Sequence, residues 1–280
     1  LEKTGRLGVC ESKKLYRFLQ DRDSSHAKAF DVQIAAYLCN PLKNDYTMED
    51  IASEYLGKTL PDLSGYSKKT LQECMQKEET AADIREYYGR FVTALYDSTP
   101  LLQEKLQKQG MEELFETMEM PLSYVLFDME REGVEVCPEQ LQSYGQALVS
   151  RIEELEQSIW KQAGEEFNIH SPKQLGEILF EKMKLPGGKK TKSGYSTAAE
   201  ILDKLAEDYP IVQDILEYRG LTKLKSTYAD GLMNFVGEDK RIHTNFNQTI
   251  TATGRISSTE PNLQNIPMRT ELGRKIREVF

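Results

Sequence analysis

The residues best suited to chemistry gather near the end of the chain. Thr251-Ala252-Thr253-Gly254-Arg255-Ile256-Ser257-Ser258 is followed, after Thr259, by Glu260-Pro261-Asn262-Leu263-Gln264-Asn265-Ile266-Pro267. The segment 240–280 carries 7 basic against 3 acidic side chains and few large apolar ones in this stretch. Gly254 and the serines permit a close backbone approach. Arg255 offers a rigid fork of donors, and Asn262 and Gln264 offer amides that both donate and accept. Such a set suits the minor groove of a nucleic-acid duplex. Every base pair presents acceptors there at similar positions, so a contact checks pair geometry without reading sequence. A polar surface loop has the same composition, and the residues alone leave both readings open.

Other catalytic signatures are missing from the sequence. His26, His170 and His243 are well separated and lack metal-ligand spacing. There is no GxSxG, Walker loop or HExxH, and Gly5-Arg6-Leu7-Gly8 is not a dinucleotide fingerprint. Asp31, Asp83 and Asp97 do not form paired carboxylates at helical spacing, so no two-metal site is evident. Cys10, Cys39, Cys74 and Cys137 lie far apart without a CxxC, the pattern of unpaired thiols in a reducing cytoplasm.

Composition narrows the class. A chain of 280 residues with 39% hydrophobic content has the apolar mass for about two domains. The longest apolar run, Ile34 to Cys39, is six residues, far short of a membrane span, and no secretory signal opens the sequence. The formal net charge is −9, concentrated in residues 101–170, which hold 15 acidic and 5 basic side chains. An acidic protein with a basic end does not coat nucleic acid like a histone, although its local potential can still hold it.

The elements that must position these residues are mostly helices. Leu15, Phe18 and Leu19 mark a helix within Ser12–Leu19, and Val32–Leu38 gives a second, broken at Asn40-Pro41. Thr47 with Asp50 predicts a capping box. A long helical pattern spans 79–106 and admits Pro100 only as a break or kink, while Pro121 interrupts another over 111–132. Val134 and Val136 alternate like a short strand. Leu141, Tyr144, Leu148, Ile152, Leu155 and Ile159 form an apolar stripe on a helix over 138–165. Ser171-Pro172-Lys173-Gln174 predicts a second capping box, and 186–194 a basic, flexible loop. Helices are expected over 197–207 and 210–227, and one strand over 241–248.

The closing motif resembles the start of the palm in family A DNA polymerases, the bacterial DNA polymerase I type. The likeness continues through Arg269-Thr270-Glu271-Leu272-Gly273-Arg274-Lys275-Ile276-Arg277. Leu216-Glu217-Tyr218-Arg219-Gly220-Leu221-Thr222-Lys223-Leu224-Lys225-Ser226-Thr227-Tyr228 is similar to the family's thumb helix. Gly164-Glu165-Glu166-Phe167-Asn168-Ile169 with Ser171-Pro172-Lys173-Gln174-Leu175 resembles the start of the thumb, and Glu119-Met120-Pro121-Leu122 the entry to the polymerase region. The resemblance is strong over about 115–280 and weak over 1–100.

The resemblance implies a holder of primer–template duplex. Arg255 would reach the minor groove near the primer terminus, with Asn262 and Gln264 on nearby duplex or template. Arg219, Lys223, Lys225, Ser226 and Thr227 would lie along the duplex, and Lys189, Lys190, Lys192 and Ser193 would form a thumb-tip loop over the primer backbone. It also implies a bacterial, cytoplasmic, nucleoid-associated enzyme with no membrane partner. The full-length parent would use Mg2+ and deoxynucleoside triphosphates in replication and repair.

The chain departs from the family pattern in two places. It ends at Phe280, just before the family's magnesium-binding aspartate, so the stretch is expected to be inactive alone and to need no cofactor. The N-terminal part resembles the later half of a proofreading exonuclease, where Phe30-Asp31-Val32 fits and Asp31 matches an acidic position. Where active members carry an aspartate four residues after a tyrosine, Tyr87 is followed by Phe91 and Tyr88 by Val92. The alternatives are a nuclease of the 3′–5′ exonuclease fold and a non-catalytic duplex-binding module. The expected fold is α+β and predominantly helical: a degenerate exonuclease-like domain over 1–97, a polymerase region leading into a helical thumb over 98–238, and the first palm strands over 239–280.

Overall fold

A computed structural model describes residues 7–19, 29–66, 71–191, 194–267 and 270–280. Helices dominate, and the short strands form two-stranded pairs among the described residues. The chain divides into two compact units: unit 1 comprises Leu1–Gly133 and Thr244–Gln264, and unit 2 comprises Val134–His243 and Asn265–Phe280.

Unit 1 begins with β1 (Leu7–Val9), α1 (Ser12–Leu19) and β2 (Ala29–Asp31). The two strands pair in parallel, Gly8 opposite Phe30. α2 (Val32–Cys39) is a core helix whose Val32, Ile34, Ala35, Ala36 and Tyr37 are all buried. Asp31 starts it: one carboxylate oxygen accepts from Gln33 N–H at 2.9 Å, and the other from Ser12 N–H at 2.6 Å. α3 (Met48–Leu56) opens with the expected capping box, with the Thr47 and Asp50 side chains each accepting from the other residue's backbone.

After α4 (Leu71–Met75), α5 (Glu78–Lys108) continues through Pro100 without the expected break. The Thr99 hydroxyl donates to the Leu95 carbonyl at 2.7 Å in the turn that lacks the proline donor. α6 (Glu112–Leu114) runs into a π-helical turn, Phe115–Glu119, and then α7 (Met120–Glu132). Pro121 therefore lies inside a helix start, and the wider register just before it makes room for its ring. Phe30 packs on Phe115 with ring centroids 4.7 Å apart, in the core shared by α2, α3 and α5.

Unit 2 opens with β3 (Val134–Glu135). α8 (Pro138–Ala163) then buries Leu141, Leu148, Leu155 and Ile159, while Tyr144 and Ile152 of the same stripe are half-buried. Gly145 is also buried, because an added Cβ would stand 3.2 Å from the Ala229 methyl. The only tryptophan in the sequence, Trp160, donates its indole N–H to the Phe167 carbonyl at 2.9 Å.

α9 (Pro172–Gly176) is capped by Ser171, which accepts from Gln174 N–H at 3.4 Å. The reciprocal half of the predicted box is absent, because the Gln174 side chain accepts from Asn168 N–H at 2.8 Å instead. β4 (Lys190–Thr191) and β5 (Gly194–Tyr195) form a small hairpin. The helix expected over 197–207 is a single turn, α10 (Ala199–Leu202), after which Leu205 N–H bonds back only three residues to Leu202. α11 (Pro210–Lys223) continues through a π segment, Leu224–Ala229, into α12 (Asp230–Met233).

α8 and α11 run antiparallel. Arg151 grips Glu217 with two hydrogen bonds of 2.8 and 2.9 Å, and the Ser158 hydroxyl donates to Asp214 at 2.7 Å. The strand expected over 241–248 is divided into β6 (Arg241–Ile242), paired with β3, and β7 (Asn245–Asn247) in unit 1. Thr244 interrupts it by turning its hydroxyl into a buried cluster with Ser258 Oγ, 2.7 Å away, and the Pro261 carbonyl.

β7 pairs antiparallel with β8 (Ser257–Thr259). Phe246 N–H in β7 donates to Glu130 of α7 at 2.8 Å, and that buried carboxylate also pairs with Lys13 of α1. The chain closes on α13 (Glu271–Ile276) and a short 3-10 turn, not on further strands. No helix among the described residues is long and apolar enough to cross a membrane.

Candidate nucleic-acid interface

In unit 1 the candidate residues occupy the β7–β8 connection and the strand's exit. Gly254 has φ +76° with nothing within 4 Å of a built Cβ, so the left-handed backbone and not crowding calls for glycine. The Thr251 hydroxyl donates to the Arg255 carbonyl at 2.7 Å and closes the loop tip. The Tyr37 hydroxyl donates to the Thr251 carbonyl at 2.8 Å and ties the loop to α2. Burial, then the Glu119 charge, raises the Tyr37 phenol above its ordinary value and keeps it a donor.

Arg255 is exposed and its guanidinium meets no partner among the described residues. Asn262 and Gln264 are also exposed, but part of their capacity serves the loop itself. Asn262 Oδ1 accepts from Gln264 N–H at 3.0 Å, and Gln264 Nε2 donates to the Ile256 carbonyl at 2.6 Å. The amides are thereby pre-oriented, with the Asn262 NH2 group and the Gln264 oxygen left over.

In unit 2, Arg219, Lys223, Lys225 and Ser226 line one open cleft of about 460 Å³ together with Ile152, His170, Thr222 and Asp230. Two features of α11 and its π extension bring them together. Leu221 and Leu224 are buried and fix the inner face, which turns the intervening polar positions outward. Arg219 is half-buried and steadied by Thr197, donating to its carbonyl at 2.7 Å and its hydroxyl at 3.2 Å. Burial pulls its guanidinium below the ordinary arginine value. Lys225 pairs with Asp230 at 2.6 Å, whereas Lys223 is exposed with no ion-pair partner among the described residues.

Thr227 is exposed but does not line the cleft. Lys189 and Lys190 are exposed on the β4–β5 hairpin, where the Lys190 ammonium stands 5.4 Å from the centre of the Tyr195 ring. Lys192 and Ser193 lie outside the described residues. Sequence reasoning missed His170, Thr222 and Asp230. His170 is 49 residues before Arg219 in the chain, and no local spacing announces that they share a cleft.

The exonuclease-like features have other employment. Asp31 is buried as a helix cap, and Tyr87 donates its hydroxyl to Glu49 at 2.7 Å. Among the described residues no group of three or more His, Cys, Asp or Glu side chains stands close enough to hold a metal ion.

The family model of DNA polymerase family A matches residues 138–280, just over half of the chain. The chain belongs to DNA polymerase family A. It is 45% identical over 253 residues to DNA polymerase I of Bacillus subtilis (strain 168), covering 90% of this chain and 28% of that protein. With DNA polymerase I of Streptococcus pneumoniae serotype 4 the identity is 43%, covering 100% of this chain and 32% of that protein. A solved structure, the POL domain of Pol1 from M. smegmatis in complex with DNA primer-template and dNTP, matches with a TM-score of 0.80 at 35% identity. That match covers 98% of this chain and 45% of the other. The chain thus spans about a third of the length of these curated relatives. The family assignment and the predominantly helical α+β fold agree with the expectations drawn from the sequence. Arg255, Asn262, Gln264 and the cleft of unit 2 all fall within the stretch that the family A model matches.

Proposed function

We propose that this chain is the duplex-holding portion of a DNA-directed DNA polymerase of the polymerase I type. The observation that carries the reading is the unit 2 cleft, where Arg219, Lys223, Lys225 and Ser226 converge within a family A chain. Cations at such a surface bind phosphates by releasing counterions, which gives affinity without sequence choice. The exposed Arg255, Asn262 and Gln264 of unit 1 add donors of the kind that read shared minor-groove acceptors. Lys189 and Lys190, with Lys192 and Ser193 beside them in sequence, and Thr227 are further backbone contacts in this proposal.

In the whole protein this portion would serve template-directed nucleotidyl transfer from deoxynucleoside triphosphates, with Mg2+, in bacterial replication and repair. The M. smegmatis structure, with its primer-template and dNTP, supports that reading by likeness. The domain reading goes with it: 1–97 exonuclease-like and structural, 98–238 leading into the thumb, 239–280 opening the palm. A proofreading nuclease is disfavoured by Phe91 and Val92 at the positions where active members carry an aspartate.

The test is equilibrium binding of a labelled primer–template duplex over a salt series. Binding at low salt that weakens steeply as salt rises, with equal affinity for unrelated sequences, supports the proposal. No binding at low salt overturns it. Mg2+-dependent digestion of the primer would favour the nuclease reading.

A further inference from the structure

We propose that His170 is a proton-dependent phosphate contact in the unit 2 cleft, so that duplex binding there takes up a proton. The inference rests on the duplex-holding reading above. His170 lines the same cleft as Arg219, Lys223 and Lys225. Its ring packs on Tyr218, with centroids 5.3 Å apart and planes tilted by 44°. Its Nε2 stands 3.3 Å from the Tyr218 hydroxyl, which in turn donates to Glu156 Oε1 at 3.4 Å. With its proton turned to Glu156, the Tyr218 oxygen accepts from the imidazole Nε2–H. That arrangement leaves Nδ1 as the basic atom, and Nδ1 has no hydrogen-bond partner among the described residues. The ring is exposed, so a phosphate oxygen can reach the nitrogen that Tyr218 does not occupy.

The charged groups that share the cleft with this ring, or reach it through Tyr218, bear on the outcome. From α8 comes Glu156, which acts through Tyr218. From α11 come Tyr218, Arg219 and Lys223, from the π segment that follows Lys225, and from α12 Asp230. Asp230 is paired with Lys225, which leaves Arg219 and Lys223 to set a positive field in the cleft. A phosphate drawn in by them favours the charged imidazole, and by linkage the charged imidazole favours the phosphate. An imidazole gains its positive charge with a proton, so the protonated ring is the form that makes this contact. His243, which pairs with Asp239 at 3.0 Å, is not among the cleft residues.

The experiment is duplex binding by the full chain at about pH 6 and about pH 8, over a salt series. One added phosphate contact predicts affinity about five- to tenfold tighter at the lower pH near 0.1 M salt. It also predicts a log–log salt slope steeper by about 0.9. H170Q should lose both effects and bind like the wild type at the higher pH. H170K, permanently charged, should bind tightly at both pH values and shows that the position tolerates change. H243Q should keep the wild-type pH response. A wild type indifferent to pH, or an H170Q that retains the response, overturns this inference and leaves the duplex-holding reading standing. No binding at any pH and low salt overturns both.

Discussion

The Tyr37 hydroxyl donates to the Thr251 carbonyl across 2.8 Å, from a fully packed helix to the loop that presents Arg255. The bond gives an exposed polar loop a rigid footing on the core. Tyr37→Phe keeps the ring and removes only the donor. It should cost about 1 kcal/mol of stability, the usual net worth of such a bond, in urea unfolding. Duplex affinity should fall too, but by less than when Arg255 itself is removed. An unchanged midpoint would show that the loop holds itself.

Arg255→Ala deletes an exposed guanidinium that supports no other part of the fold. Stability should stay within about 0.5 kcal/mol, as for most surface changes. Duplex binding should weaken by roughly 1–3 kcal/mol, the range for a good side-chain contact to a base edge. Fluorescence anisotropy of a labelled duplex checks it, and an unchanged dissociation constant would remove Arg255 from the interface.

Lys223→Ala and Lys225→Ala should each reduce the salt slope by about 0.9, the value per phosphate contact, and do so equally for unrelated sequences. Lys225→Ala should weaken binding more, because it also leaves Asp230 unpaired in the cleft. Equal losses from the two variants would show that Asp230 does not face the bound phosphates.

Much of this fold was legible because local chemistry decides it. The 3–4 spacing from Leu141 to Ile159 made α8, and Thr47 with Asp50 capped α3 as their types require. Legibility ended where a distant group intervened. Gln174 abandoned its capping role for Asn168, and Thr244 broke a strand to reach Ser258. Pro100 failed to break α5, whose buried face of Ala94, Ser98, Leu102 and Leu106 holds both halves on one core. At the candidate site, the residues on one helix and its extension were readable together. His170 enters only through tertiary packing, and the hold of Thr197 on Arg219 is equally invisible in the sequence.

The Arg151–Glu217 pair joins α8 to α11, and the Arg151 hydrogen bonds lower the Glu217 carboxyl below its ordinary value while partial burial opposes them. A carboxylate lowered in the folded state adds stability above the ordinary glutamate range and loses it as pH falls through the lowered value. Both side chains are over a third exposed, so solvent screening limits the gain. Glu217→Gln should therefore cost about 0.5–1 kcal/mol at neutral pH. The gap to the wild type should close in acid, which thermal melts from neutral to acidic buffer would measure. A gap independent of pH would mean that the ion pair is not its source.

Burial, reinforced by the Asp31 charge, raises the Cys10 thiol well above its ordinary value. The thiolate is the reactive form, so the native protein should alkylate at Cys10 at least about tenfold more slowly than the unfolded chain at about pH 8. Mass spectrometry after timed iodoacetamide labelling reads this directly. Rapid native labelling would show that β1 opens from its neighbours.

Trp160 is the single indole of the chain, hydrogen-bonded to the Phe167 carbonyl beside the end of α8. Intrinsic emission excited at the red edge of protein absorbance thus reports on unit 2 alone, while circular dichroism sums the helices of both units. Comparing the two signals during one melt tells, without any attached dye, whether the two units unfold at the same temperature or in turn.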